Sequence, residues 1–179
     1  MLKNLFRTRS AERMGLPLYS AAVEQARDPG FYTALGVTDE IDARFELYTL
    51  HVLLLILRLR DEAGYDAEKG SEAAQNLFDT YVSALDNTLR ELGVNDVTMA
   101  KKMRKLGESL YGRMTTYEAP LRAGDAAELA EGLARNVYAT EDAARGQGLA
   151  AYGLAAREGL ASQPIDAVLT APVWPEVKA

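Results

Sequence analysis

The segment from Ile41 to Leu59 constrains the fold more than any other part of the chain. At about 100° per residue, Ile41, Phe45, Tyr48, Val52, Leu55, Ile56 and Leu59 define one apolar face of a helix, while Leu47, Leu50, Leu54 and Leu57 form a second stripe on the opposite side. A helix apolar on two sides has to be covered on two sides, so it needs neighbours around it. The rest of the sequence supplies helices for that purpose. It is dominated by Ala, Leu, Glu and Arg, and period-two alternation of Val, Ile and Thr is nearly absent, so a sheet has little to be built from. With 179 residues, one core burying roughly 70% of the unfolded surface is within reach. The expectation is an all-α fold: a single helical domain of about five to seven helices with an extended C-terminal tail.

Three parts are read along the chain: a basic N-terminal arm at 1–14, a helical domain at 15–162, and a proline-containing tail at 163–179. Pro17 suits the first turn of a helix reaching Arg27, and Asp28-Pro29-Gly30 stops it. A short helical turn is expected around Phe31, Tyr32 and Leu35. Thr38 is the expected N-cap of the two-faced helix, with Asp39, Glu40 and Asp42 near its positive end and Gly64 as its stop. A polar loop over 61–70 follows. From Ser71 a helix places Leu77, Phe78, Tyr81, Val82, Leu85, Leu89 and Leu92 on one face, and Gly93 ends it. Thr98 is the expected cap of the next, whose Met99, Met103, Leu106, Leu110, Met114 and Tyr117 recur at helical spacing before Pro120 or Gly124 closes it. Asp125 and Glu128 have capping-box spacing for a helix burying Leu129, Leu133 and Val137. A final alanine-rich helix is expected over 141–161, and the tail beyond Pro164 is expected to run extended, with Trp174 docking on the helices.

Little catalytic chemistry is available. Cysteine is absent, which excludes disulfides, iron–sulfur clusters and cysteine-ligated zinc. His51 is the single histidine, deep in the most apolar helix, with neither a carboxylate nor a nucleophile beside it at helical spacing. A hydrogen-bonded core histidine is the better reading. One histidine also rules out the paired Glu-x-x-His elements of helical di-iron proteins. Gly146-x-Gly148 lacks both a preceding strand and the third glycine of a dinucleotide fingerprint, Ala151 standing in its place; small residues for close helix packing explain it better. Gly112, in mid-helix, is read the same way. No metal or other cofactor is expected.

Two surfaces attract attention. Lys101, Lys102, Arg104 and Lys105 occupy an arc of about 160° opposite the methionine–leucine stripe, and with Arg113 they make a candidate basic surface. Residues 98–122 hold six basic and two acidic side chains, a local +4 in a chain of net charge −6. That overall charge argues against DNA, and no aromatic residue interleaves with the lysines for base stacking, so a solvated face or an anionic ribosomal or membrane surface are the readings. The second surface is the stripe Leu47, Leu50, Leu54 and Leu57. Either the domain itself covers it, or it is left open as a groove for a client or partner. No segment approaches the ~20 apolar residues of a membrane span. The N-terminus lacks the apolar centre of a secretory signal, so an intracellular, cytoplasmic protein is expected.

Several segments in order resemble the ubiquinol–cytochrome c chaperone family, the assembly factors of respiratory complex III. The resemblance rests on Asp42, Arg44, Phe45, Glu46, Leu47, Leu50 and His51; on Leu77-Phe78-Asp79; and on Leu85, Asp86, Leu89, Arg90, Glu91, Leu92, Gly93, Val94 and Asp96. It continues through Lys102-Met103 to Tyr111-Gly112-Arg113, spanning residues 17–122. It implies a non-catalytic chaperone that binds newly made cytochrome b and assists assembly of the ubiquinol–cytochrome c reductase complex. A small partner subunit, the ribosome and the inner-membrane surface (the matrix side in a mitochondrion) are the further partners it implies. Two other classes fit a helical chain of this kind: a self-associating adaptor using the leucine stripe, and a small helical enzyme with an internal pocket.

Overall fold

From Thr49 to Leu57 every residue is buried, so the third helix of the chain is enclosed on all sides. The computed structural model describes residues 15–91 and 96–178. The basic arm at 1–14, and with it the family-like residues Leu92, Gly93 and Val94, lies outside the described residues. The described helices are α1 (15–25), α2 (Pro29–Thr33), α3 (Ile41–Arg60), α4 (Ala67–Glu91), α5 (Asp96–Ala123), α6 (Ala126–Val137), α7 (Gln147–Ala161) and α8 (Ile165–Thr170). Short 3-10 turns precede α4 and α7, and no strand occurs among the described residues. The all-α expectation holds. Helix α3 packs against α4, α5, α6 and α7, and one core cluster runs from Leu18 in α1 to Val168 in α8.

Sequence and structure differ most at helix ends. The hydroxyl of Thr38 does not cap α3. Its carbonyl accepts from the Glu40 N–H instead, and this turn delays the helix to Ile41, with Glu40 at the N-cap position and making no side-chain cap. Ile41 itself is 73% exposed, so the apolar face expected to begin there is first covered at the half-buried Phe45. Helix α3 ends at Arg60, short of Gly64, and α4 begins at Ala67 rather than Ser71. Gly70 accounts for the early start: a Cβ there would lie 2.3 Å from the Leu59 carbonyl oxygen, so glycine lets the first turn of α4 press on the α3 backbone. Asp96 already belongs to α5, which leaves Thr98 inside the helix rather than at its cap.

Helix α5 passes through Pro120 and stops at Gly124, whose φ of +70° suits glycine. Asp125 then caps α6 by accepting from the Ala127 and Glu128 N–H groups, both at 3.0 Å. The final alanine-rich helix starts at Gln147, later than expected, and the tail is not wholly extended. Pro164 occupies the N-cap position of α8, whose Ile165 and Val168 enter the core, and 171–178 follows without regular secondary structure. Gly146 and Gly148 are close-packing glycines: Cβ atoms there would lie 2.1 Å from the Ala130 oxygen and 2.8 Å from Leu35 Cδ2. Gly112 is not one. Nothing lies within 4 Å of the position its Cβ would take.

Candidate functional site

His51 is fully buried and has both ring nitrogens engaged, Nδ1 with the Leu47 carbonyl at 2.7 Å and Nε2 with the Tyr152 hydroxyl at 2.9 Å. The carbonyl can only accept, so Nδ1 carries the proton and Nε2 accepts from the tyrosine. Burial lowers its pKa to about 4, which the hydrogen bond to Leu47 only partly opposes, and the ring is neutral at physiological pH. Phe31, Tyr152 and Trp174 surround it at ring-centroid distances of 5.3, 5.5 and 5.1 Å. Trp174 thus docks, and it closes an aromatic cluster around a structural histidine. No nucleophile–base pair is assembled here. Among the described residues no group of three or more metal-ligating side chains occurs, and no helix is long and apolar enough to cross a membrane.

Leu47, Leu50, Leu54 and Leu57 are each at most 1% exposed. The domain covers the stripe itself, because α3 is central, and none of the four offers a surface for a partner or for self-association. An open, partly apolar cleft of about 800 Å³ lies elsewhere, between α3, α4 and α5. Leu53 and Ile56 of α3 form its floor, Ala74 and Phe78 of α4 one wall, and Met114 with Tyr111 of α5 the other; Arg60, Glu118 and Arg122 edge it with charge. Tyr111 is 75% exposed, unusual for a large aromatic side chain. Phe78 and Tyr111 stood in the family-like segments, but their spacing alone could not tell a cleft wall from a core stripe. Only the arrangement of α4 against α5 decides that.

The basic candidates divide. Lys101, Lys102, Arg104 and Lys105 are all exposed along the first half of α5. Arg113 leaves that group: its Nε donates to Glu46 Oε1 on α3 at 2.7 Å. Glu46 is only 3% exposed, and burial raises its pKa above the ordinary carboxylate range while Arg113 and the Tyr117 hydroxyl pull the other way. Arg113 therefore pairs with an interior carboxylate of α3. On the far edge, Asp61 at the end of α3 receives Arg122 of α5 at 2.7 Å and Arg157 of α7 at 2.9 Å, which ties three helices together.

The sequence profile of the ubiquinol–cytochrome c chaperones matches residues 33–174, which extends the relationship through α6, α7 and the docked Trp174. Among solved structures, the crystal structure of the Cbp3 homolog from Brucella abortus superposes with a TM-score of 0.80 at 32% identity, covering 99% of this chain and 98% of that one. No curated protein matches. The family is one of chaperones and not of enzymes, in keeping with the absence of a catalytic constellation in the sequence. With most of its length matched by the profile and nearly all of it by the Brucella structure, this chain belongs to the ubiquinol–cytochrome c chaperone family.

Proposed function

We propose that this chain holds newly synthesised cytochrome b during assembly of the ubiquinol–cytochrome c reductase complex, with the α3–α4–α5 cleft as its client surface. The observation that carries the reading is an open cleft with an apolar floor and a charged edge in a member of this family. An immature membrane protein presents apolar segments that aggregate in water unless covered. Phe78, Tyr111 and Met114 provide aromatic and thioether contacts that adapt to more than one apolar sequence. Glu118 and Arg122, hydrogen-bonded at 2.8 Å, keep the rim wet and soluble when the cleft is empty. The exposed cations Lys101, Lys102, Arg104 and Lys105 supply a place for an anionic ribosomal or inner-membrane surface, close to where the client emerges. A small partner subunit is a further candidate for the same assembly.

The test places a photo-crosslinking amino acid at Tyr111 in native cells and identifies the captured proteins by mass spectrometry. Capture of cytochrome b, lost when Met114→Asp is introduced, is the expected result. Capture of soluble metabolic proteins with no respiratory subunit would overturn the proposal.

A further inference from the structure

Helix α1 meets α4 at its first residue. A Cβ on Gly15 would lie 2.3 Å from Thr80 Oγ1 and 2.4 Å from the Asn76 carbonyl oxygen, so the chain enters the helical body pressed against α4. Residues 1–14 therefore join the molecule on this side of α4. Asn76 also carries an unmet donor there: it is 7% exposed, and its Nδ2 has no acceptor among the described residues.

At about 100° per residue, Asn76 and Thr80 lie nearly opposite Ala74 and Phe78, which form the α4 wall of the α3–α4–α5 cleft. Two ways round α4 connect these sides. Buried Leu77 and Tyr81 close one of them. The other is the exposed face, and it carries Glu72 and Asp79, seven residues apart and both exposed. Asp79 accepts from the side-chain amide of Gln75 at 2.9 Å, a neutral donor. A segment running from Gly15 to the cleft passes both carboxylates.

The N-terminal arm has the matching chemistry. Lys3, Arg7, Arg9 and Arg13 against Glu12 give it a net charge of +3, and Leu2, Leu5 and Phe6 recur at the spacing of one helix face. Its length suffices. The eight residues between Phe6 and Gly15 span up to about 26 Å, and half the circumference of a helix is about 17 Å. The cations at the cleft edge leave the Phe78–Tyr111 end open to a basic segment: Arg122 is shared between Asp61 and Glu118, and Arg60 lies two turns along α3 from Leu53.

We propose that residues 1–14 fold back across Glu72 and Asp79 and seat Leu2, Leu5 and Phe6 in the cleft against Phe78, Tyr111 and Met114, as an internal occupant that the client displaces. Tethering supplies the arm at high effective concentration. The displacement rests on the reading of the cleft as the client surface; the occupancy does not.

The test places a photo-crosslinking amino acid at Phe6 of the full chain, purified and dilute, and maps the products by mass spectrometry. Intramolecular crosslinks to 74–78 or 111–115 are expected. Glu72→Lys with Asp79→Lys should lower their yield at least threefold, and adding Lys3→Glu with Arg7→Glu should restore it, a rescue that a mere folding defect would not show. Crosslinks confined to other surfaces, or a yield indifferent to the reversal, overturn the proposal. Crosslinks only between two chains give the cleft to the arm of a second copy and overturn it as well. Displacement is read separately, with the crosslinker at Tyr111 in native cells: Leu5→Asp with Phe6→Asp should raise capture of cytochrome b at least twofold, and unchanged capture overturns the displacement. Intramolecular crosslinks from Phe6 with no cytochrome b captured by either chain support the occupancy and count against the client reading alone.

Discussion

Arg113 and Glu46, 67 residues apart in sequence, meet at 2.7 Å where α5 crosses α3. The pair is asymmetric. The Glu46 side chain is 4% exposed and the Arg113 side chain 29%, so the carboxylate bears the desolvation while the guanidinium keeps a hold on water. Tyr117, one turn beyond Arg113 on the same helix, brings its hydroxyl to 3.5 Å from the other carboxylate oxygen. An interior carboxylate held from one neighbouring helix ties α5 to α3 at this point.

Removing the arginine leaves the carboxylate buried and uncompensated. Arg113→Ala is expected to cost about 2–3 kcal/mol, below the 3–5 typical of a fully buried pair because Arg113 is partly hydrated. Adding Glu46→Gln should recover part of the loss, since a neutral amide is cheaper to bury than a charge. The raised pKa of Glu46 sets the pH sign: the native state takes up its proton before the unfolded state does, so ionisation costs stability as pH rises through the folded pKa. Urea denaturation of the two variants at neutral and mildly acidic pH checks both statements. Full additivity of the two substitutions would show that the pair is not coupled.

His51 has the opposite sign. Its folded pKa of about 4 lies below the ordinary 6.5, so the unfolded chain binds the proton first on acidification. The stability this contributes is present above pH 6.5 and is lost as pH falls toward 4, about 2–3 kcal/mol by pH 4.5. The carboxylates also titrate in this range, so the comparison is with His51→Gln, which keeps hydrogen-bonding capacity and does not titrate. The stability gap between the two chains should narrow by about that amount between pH 7.5 and 4.5. A constant gap would mean that His51 is solvated in the native state.

The placement of α3 at the centre was legible because residues apolar on both faces leave no alternative in water. Leu129, Leu133 and Val137 entered the core as their spacing required, and Asp125 capped where its position said it should. The cleft was not legible. Phe78 and Met114 carry the same periodicity as buried Leu77 and Tyr117, and no local pattern records how far apart two helices will stand. Arg113 misled for a related reason: on α5 alone it continues a run of cations, and only the fold brings a buried acid to it. The start of α4 falls in a stretch whose polar composition reads as loop, and the turn of α8 follows a proline that reads as the start of an extended tail; in the fold Gly70 permits contact with α3 and Pro164 precedes a first turn.

Two helix-associated glycines should respond oppositely to the same substitution. Gly112→Ala meets open space in mid-helix and should stabilise by up to about 1 kcal/mol through helix propensity. Gly146→Ala would place a methyl carbon 2.1 Å from the Ala130 carbonyl oxygen, a backbone atom that cannot swing aside. Displacement of α6 from the start of α7 should cost about 3 kcal/mol. Calorimetric melting of both variants decides: equal shifts in Tm would show that the α6–α7 junction is looser than described.

Reversing charge on α5 separates binding from folding. Lys101 and Lys105 are exposed, so Lys101→Glu with Lys105→Glu should leave Tm within a degree or two of wild type. Each reversal removes two units, taking the +4 of residues 98–122 to zero. If this face meets an anionic surface, co-sedimentation with ribosomes or with vesicles of anionic lipid should fall several-fold at low salt, and the wild-type chain should lose the same binding as salt is raised. Ribosomes alone responding would assign the face to RNA, and vesicles alone to the membrane. Unchanged sedimentation with both would leave the lysines as a solvated helix face and confine the chain's contacts to its apolar surfaces.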